Sequence, residues 1–247
     1  MSDFQGFPVV ALDFYDDLEV DNTRSYWEKH KATYDEAVKA PMVALVSALA
    51  PEFALDRQSY KVFRPYRDVR FAKDKTPYKT NQGAYVAVAP ATGWYVEISA
   101  RGVRTGGGCY DMSGPRLAAY RDAVADDKTG AQLTRVTNKL TKAGWELGGE
   151  RLKTTPRGYD AGHRRIDLLR HKSLHAGKSY AFEPVIHTAA LLDEVRADWK
   201  ALREAEPDAI GWLRAQIQNR LATSGTPWSS PTAASTAESW WGNEDEY

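Results

Sequence analysis

A compact basic segment, residues 57–79, carries the strongest chemical signal in this sequence. It holds eight Lys or Arg residues against two acids, Asp68 and Asp74, so its local balance is +6 in a chain whose formal net charge is zero. Guanidinium forks and ammonium groups at this density suit a phosphate or a carboxylate. The eight basic residues are Arg57, Lys61, Arg64, Arg67, Arg70, Lys73, Lys75 and Lys79.

The spacing arranges this segment around one carboxylate. Arg64 and Asp68 are four residues apart, which places them on the same side of either a strand or a helical turn. In a strand, Arg70 shares that face, while Phe63 and Phe71 anchor the opposite one. Asp68 then either orients the guanidinium groups, or acts as a catalytic base, or belongs to a structural network of ion pairs.

We predict an anion site on this segment. Its ligand-binding side chains are expected to be Arg64, Arg67, Arg70 and Lys75, and Tyr78 is expected to add a hydroxyl group. The ligand class that these residue types favour is a small phosphorylated or carboxylated molecule.

A glycine-rich stretch offers a second part of the same site. Gly107 and Gly108 could bring bare backbone amides close to a ligand, and Ser113-Gly114-Pro115 begins a helix whose N-terminus carries partial positive charge. The stretch matches neither a Walker A sequence nor a dinucleotide-binding fingerprint. A turn at the end of a β-hairpin is the alternative interpretation.

The histidines and the cysteine carry weaker signals. His163 is a candidate proton-transfer group, and a surface histidine capping a basic helix is the alternative. His171 and His175 face one way if they are helical, but the neighbouring cations disfavour a metal ion, so no metal or cofactor is predicted. Cys109 has no base near it in the sequence and is expected to be a packing residue.

The predicted secondary structure that must position these residues differs from one part of the chain to the next. Residues 12–50 follow a helical period, residues 60–99 read as three strands rich in β-branched and aromatic residues, and helices return after Pro115. Runs of helices and runs of strands without a βαβ rhythm predict an α+β domain. We expect an antiparallel sheet packed against N-terminal, middle and C-terminal helices over residues 1–221, followed by a disordered tail at 222–247.

The composition limits the possible classes of protein. A single cysteine cannot form an internal disulfide, and neither a secretory leader nor a span of membrane length occurs in the sequence. We therefore expect a cytoplasmic protein with no membrane partner. The zero net charge argues against a chain whose whole surface binds polyanions.

The order of residues within the basic segment adds a resemblance. Residues 64–78, from Arg64 to Tyr78, are similar to the R-x-x-R-D-x-R-F-x-x-[DN]-K-x-x-Y signature of an uncharacterised family, a domain of unknown function found in bacteria and some fungi. The Asn22-x-x-x-x-Trp27 helix and the glycines at 106–108 also resemble that family. The resemblance implies a shared single domain with the signature residues as the first place to look, and it implies no activity.

Three functions remain open at this point. The first is an enzyme or a binding protein that holds a small anion at the arginine-rich site. The second is a nucleic-acid module in which basic residues follow phosphates and tyrosines stack on bases. The third is an interaction protein whose tail docks through Trp240 and Trp241 while the basic segment is structural.

Overall fold

The computed structural model describes residues 3–54, 59–70, 73–204 and 209–223. Runs of helices and runs of strands follow one another along the chain. In chain order they are α1 (Val10–Val20), α2 (Arg24–Thr33), a π-helix (Tyr34–Lys39), α3 (Ala40–Phe53), β1 (Tyr60–Val62), β2 (Asn81–Ala89), β3 (Thr92–Ser99), β4 (Gly102–Cys109), α4 (Pro115–Ala125), α5 (Asp127–Lys142), β5 (Glu146–Gly148), α6 (Ile166–Leu169), β6 (Leu174–Ser179), a 3-10 helix (Pro184–His187), α7 (Ala190–Glu204) and α8 (Ala209–Thr223).

The strands form one antiparallel sheet in the order β1-β2-β3-β4-β6-β5. The predicted hairpin around the Pro90 turn is present, since β2 and β3 pair from Asn81 with Ser99 to Ala89 with Thr92. The predicted α+β class with an antiparallel sheet is therefore confirmed.

The helices pack against one face of the sheet. Trp94 of β3 and Trp199 of α7 stack there with ring centroids 5.6 Å apart, and Phe53 of α3 meets both rings edge-on. Trp199 Nε1 donates a hydrogen bond of 2.7 Å to Thr105 Oγ1 in β4, so the indole is both buried and satisfied. This contact fixes helix α7 on the sheet.

A second cluster of buried side chains joins α4, α5 and α8 to the end of β4. Cys109 lies in it, fully buried among Met112, Tyr120 and Leu174, and burial raises the pKa of its thiol. The cysteine therefore packs as a small apolar residue, in agreement with the sequence-based expectation.

The C-terminal boundary predicted at residue 221 falls inside α8, which runs to Thr223. The remainder of the predicted tail, residues 224–247, lies outside the described residues. Within the described part of the chain, no helix combines the length and the apolar character that crossing a bilayer requires.

The glycines at 106–108 lie within β4, so the predicted turn is wrong. They allow β6 to approach β4 closely: a Cβ atom added at Gly108 would lie 2.4 Å from His175 Cα and from the Leu174 carbonyl oxygen. The same addition at Gly106 would meet the Ala176 carbonyl oxygen at 2.3 Å. Glycine is required here for strand contact rather than for a turn.

We predict that Gly108→Ala lowers the free energy of unfolding by about 2–3 kcal/mol, because the methyl group meets backbone atoms that cannot move independently. Gly162→Ala is the control, since its nearest neighbour is a flexible carboxylate oxygen of Asp160 at 3.0 Å, and it is expected to change stability by less than about 0.5 kcal/mol. Urea unfolding measures both. Equal losses in the two variants would contradict the close-approach explanation.

His171 and His175, considered above as one face of a possible helix, lie in extended segments: His175 in β6, and His171 just before it in a bridge with Arg151. His175 stacks on Tyr110, with ring centroids 5.2 Å apart, and burial followed by the charges of Arg104 and His171 lowers its pKa to about 4. Burial also lowers the pKa of His171. Both imidazoles are therefore neutral near pH 7.

This neutrality predicts acid sensitivity. Because the unfolded histidine takes up its proton near pH 6.5 and the folded one only near pH 4, stability is fully present above pH 6.5 and falls as the pH drops towards 4. His175 alone accounts for about 3 kcal/mol of this loss. In His175→Gln, the difference in unfolding free energy between pH 7 and pH 4 should shrink by a similar amount. An unchanged difference would show that His175 titrates normally.

Candidate functional site

Two parts of the basic segment pair with each other between β1 and β2. Tyr66 and Tyr78 face each other in an isolated antiparallel bridge. Two backbone hydrogen bonds flank it, from Arg67 N to Pro77 O at 2.9 Å and from Lys79 N to Pro65 O at 2.8 Å. We call residues 64–70 and 73–79 together the basic loop. Its two ends are thereby held side by side like the strands of a hairpin.

The first half of the basic loop has the two-residue alternation that the strand interpretation of the sequence predicts. Exposed side chains alternate with half-buried ones from residue 64 to residue 70. One side of this segment, which we call the outer face, therefore presents a guanidinium, a phenol, a carboxylate and a second guanidinium to solvent. These side chains belong to Arg64, Tyr66, Asp68 and Arg70. Phe71, predicted to anchor the opposite side, lies outside the described residues.

Asp68 and Arg70 form a bidentate ion pair on the outer face. Arg70 Nε lies 2.9 Å from Asp68 Oδ1, and Arg70 Nη2 lies 2.6 Å from Asp68 Oδ2. The hydrogen bonds from Arg70, helped by the charge of Arg64, lower the pKa of Asp68 to about 2. A carboxylate this acidic is a weak proton acceptor at neutral pH. Asp68 therefore orients Arg70, and the structure gives no support to its predicted role as a catalytic base.

Arg67 points into the loop instead of outwards. Its guanidinium, 21% exposed, binds the Asp74 carboxylate and the Thr76 hydroxyl. Hydrogen bonds from the Thr76 backbone and hydroxyl, together with Arg67, lower the pKa of Asp74 to about 2. Arg67, predicted to bind the ligand, thus joins the two halves of the loop.

Lys75 also acts within the loop. Its ammonium group donates a hydrogen bond of 2.8 Å to the carbonyl oxygen of Val69. This contact joins the two halves of the basic loop, so Lys75 contributes charge to the site and shape to the loop. It does not extend along the outer face with Arg64 and Arg70.

The base of the loop is anchored on α2. The side-chain amide of Asn22 pairs with the backbone of Tyr78, donating from Nδ2 to the carbonyl oxygen at 2.9 Å and accepting from the amide at Oδ1 at 3.0 Å. The Tyr78 ring lies parallel to the Trp27 indole, 4.4 Å away and inclined by only 9°. Tyr78 is 5% exposed, so its predicted role as a hydroxyl donor to a ligand gives way to one in packing.

The anchoring role of Asn22 was missed by the sequence interpretation. Asn and Asp are residue types that often cap helices, so Asn22 and Asp21 are N-cap candidates by type. Thr23 is the residue that caps α2, and its side chain accepts a hydrogen bond of 3.2 Å from the Tyr26 amide. The signal that could have revealed the anchor is the Asn22 to Trp27 spacing, which belongs to the same resemblance as the basic loop.

With this geometry established, the comparison with protein families is informative. Residues 10–205 match the family described as conserved hypothetical protein (DUF2461). The chain belongs to this family. Membership confirms the resemblance to an uncharacterised family, and the family description assigns no activity. No curated protein and no solved structure matches the chain.

In this DUF2461 chain, the predicted glycine cradle is taken up by the sheet. The amides of Gly107 and Gly108 lie in β4 between β3 and β6, so they do not form an open cradle. Just before α4, the Asp111 carboxylate accepts hydrogen bonds from the Ser113 amide at 2.8 Å and from its hydroxyl at 3.1 Å. A carboxylate of the protein thus binds the backbone that leads into this helix.

His163 lies apart from the basic loop. Its Nδ1 accepts a hydrogen bond of 3.1 Å from the Arg165 amide, and the buried Arg165 side chain donates to the Val124 and Ala125 carbonyl oxygens at the end of α4. This region adjoins α5, which packs on β5, whereas the loop joins β1 and β2 at the other edge of the sheet. The structure therefore does not bring His163 to the predicted anion site.

We predict that Asn22→Ala opens the base of the loop, because it leaves the amide and carbonyl of Tyr78 without their partners. The expected loss of stability is about 1–3 kcal/mol. Hydrogen exchange at the Arg67 and Lys79 amides, which close the loop, should accelerate more than exchange in β3. Asp21→Ala, a change at an exposed neighbour, is the control. Uniform acceleration across the sheet would argue against a local anchor.

Proposed function

We propose that this protein binds a small phosphorylated or carboxylated ligand on the outer face of the basic loop. The observation that carries the proposal is the bidentate pair of Arg70 and Asp68. An anionic ligand presents two oxygens in the same arrangement as the Asp68 carboxylate, so the Arg70 fork is already oriented for it. Both partners are solvent-exposed, at 77% and 47% for Arg70 and Asp68, which makes the pair accessible to exchange.

The surroundings favour an anion. Over residues 59–70 and 73–79 there are seven basic side chains against Asp68 and Asp74, a balance of +5 on a chain that is neutral overall. A concentrated positive field raises the local concentration of anions and speeds their association. We assign ligand contact to Arg64 and Arg70, while Arg67 and Lys75 maintain the shape of the loop.

Isothermal titration with inorganic phosphate and with citrate, at low and moderate salt, tests the proposal. We expect binding that survives moderate salt and that weakens about tenfold or more in Arg70→Ala, because a charge-assisted hydrogen-bond pair is lost. Asp68→Asn should bind more tightly than the native chain, since the competing carboxylate is neutralised. Arg24→Ala, which removes an equally exposed arginine paired with Glu28 on α2, is the matched control.

Two results would contradict the proposal. Absence of binding by either anion at moderate salt would leave the Arg70 and Asp68 pair as a structural feature. Equal weakening in Arg70→Ala and Arg24→Ala would show that the anions respond to total charge and not to a site. Thermal unfolding of each variant verifies that the fold is retained.

A further inference from the structure

Tyr66 is the one member of the outer face that the anion proposal leaves unexplained. Its side chain is 47% exposed, whereas the two rings beneath it, Trp27 and Tyr78, are 3% and 5% exposed. An exposed tyrosine ring offers an apolar face for contact with a ligand while its hydroxyl stays in water. Its position between the two arginines of the outer face places it inside the proposed site.

The backbone of Tyr66 is held in place. It forms the bridge with Tyr78, and the hydrogen bonds of Arg67 and Lys79 close the ladder on both sides of it. Pro65, directly before Tyr66, and Pro77, directly before Tyr78, restrict the chain further. An exposed tyrosine on an ordered backbone offers contact area at a low entropic cost.

The ring of Tyr66 is also supported from behind. Its centroid lies 6.0 Å from that of Trp27 and 5.7 Å from that of Tyr78, inclined by 56° and 47°. These two rings form the parallel pair that anchors the loop. Tyr66 is thus the outermost member of an aromatic cluster, and its solvent-facing side is suited to stack on a further planar group.

The charges lie at a useful distance from this ring. Arg64 is two residues from Tyr66 on the same face, and two residues of chain span at most about 7 Å. A pentose separates a nucleobase from its 5′-phosphate by a comparable length. A ligand with a ring on Tyr66 can therefore place its phosphate at a guanidinium of the outer face.

We infer that the ligand of the outer face is a phosphate ester of a planar ring system, of the nucleoside monophosphate class, whose ring stacks on Tyr66 while its phosphate binds Arg64 or Arg70. This inference rests on the proposed function and adds the chemical class of the ligand. In this inference, Tyr66 selects the ring of the ligand and the arginines bind its phosphate.

The test compares adenosine 5′-monophosphate with ribose 5-phosphate, which differ by the base alone, in titrations of the full chain at moderate salt. We expect the nucleotide to bind about tenfold more tightly, in line with the usual contribution of one base stacked on an aromatic side chain. Tyr66→Ala should abolish that difference while leaving ribose 5-phosphate binding within twofold. Tyr66→Phe, which keeps the ring, should preserve the difference and serves as the control for folding.

The outcomes separate this inference from the anion proposal. Equal affinity of the native chain for the two phosphates overturns the inference and leaves the anion site standing. Failure of both phosphates to bind overturns both. Binding of a single-stranded oligonucleotide with steep salt dependence, without binding of the mononucleotide, would overturn the inference in favour of a nucleic-acid surface. A nucleotide preference that persists in Tyr66→Ala would place the ring elsewhere and also overturn it.

Discussion

The basic loop is fixed to the rest of the protein largely by one amide side chain. Asn22 supplies one donor and one acceptor to the Tyr78 backbone, just before the loop enters β2. The Asp68–Arg70 pair of the loop is exposed, and an exposed pair contributes little to stability because water and salt screen it. The half-buried Arg67 joins the two halves of the loop through Asp74 and Thr76. Asn22 and the stacking of Tyr78 on Trp27 then hold the loop against α2.

The sequence predicted the alternation of the loop but not the direction of each side chain. A period of two follows from extended backbone alone, so the common face of Arg64, Asp68 and Arg70 was accessible from spacing. The same alternation places Arg67 on the opposite side, where it binds Asp74 and Thr76, but it does not show that Tyr78 packs on Trp27. Trp27 is 51 positions before Tyr78, and a contact at that separation has no signature in local pattern.

The glycines of β4 show the same limit of prediction from local sequence. Gly106 and Gly108 are compatible with a turn, with a phosphate cradle and with close strand contact, since all three need a residue without a side chain. The structure selects close contact because β6, which follows after four intervening elements, lies against β4. The same pairing places His175 in a strand, and burial keeps both His175 and the neighbouring His171 neutral. Long-range pairing, which the local sequence does not encode, decided each of these outcomes.

The Asp68 carboxylate gives the proposed site a preference between its candidate anions. Arg70 is already neutralised by a singly charged group, so a ligand carboxylate that replaces Asp68 exchanges one ion pair for another of equal charge. A phosphate monoester brings nearly two negative charges and three acceptor oxygens, and it can engage Arg64 while it binds Arg70. The gain in binding free energy over the Arg70–Asp68 pair is then larger for a phosphate than for a carboxylate. Because Arg70 already pairs with Asp68, a ligand with more negative charge competes better for the guanidinium. The proposed function therefore favours phosphorylated ligands over carboxylated ones.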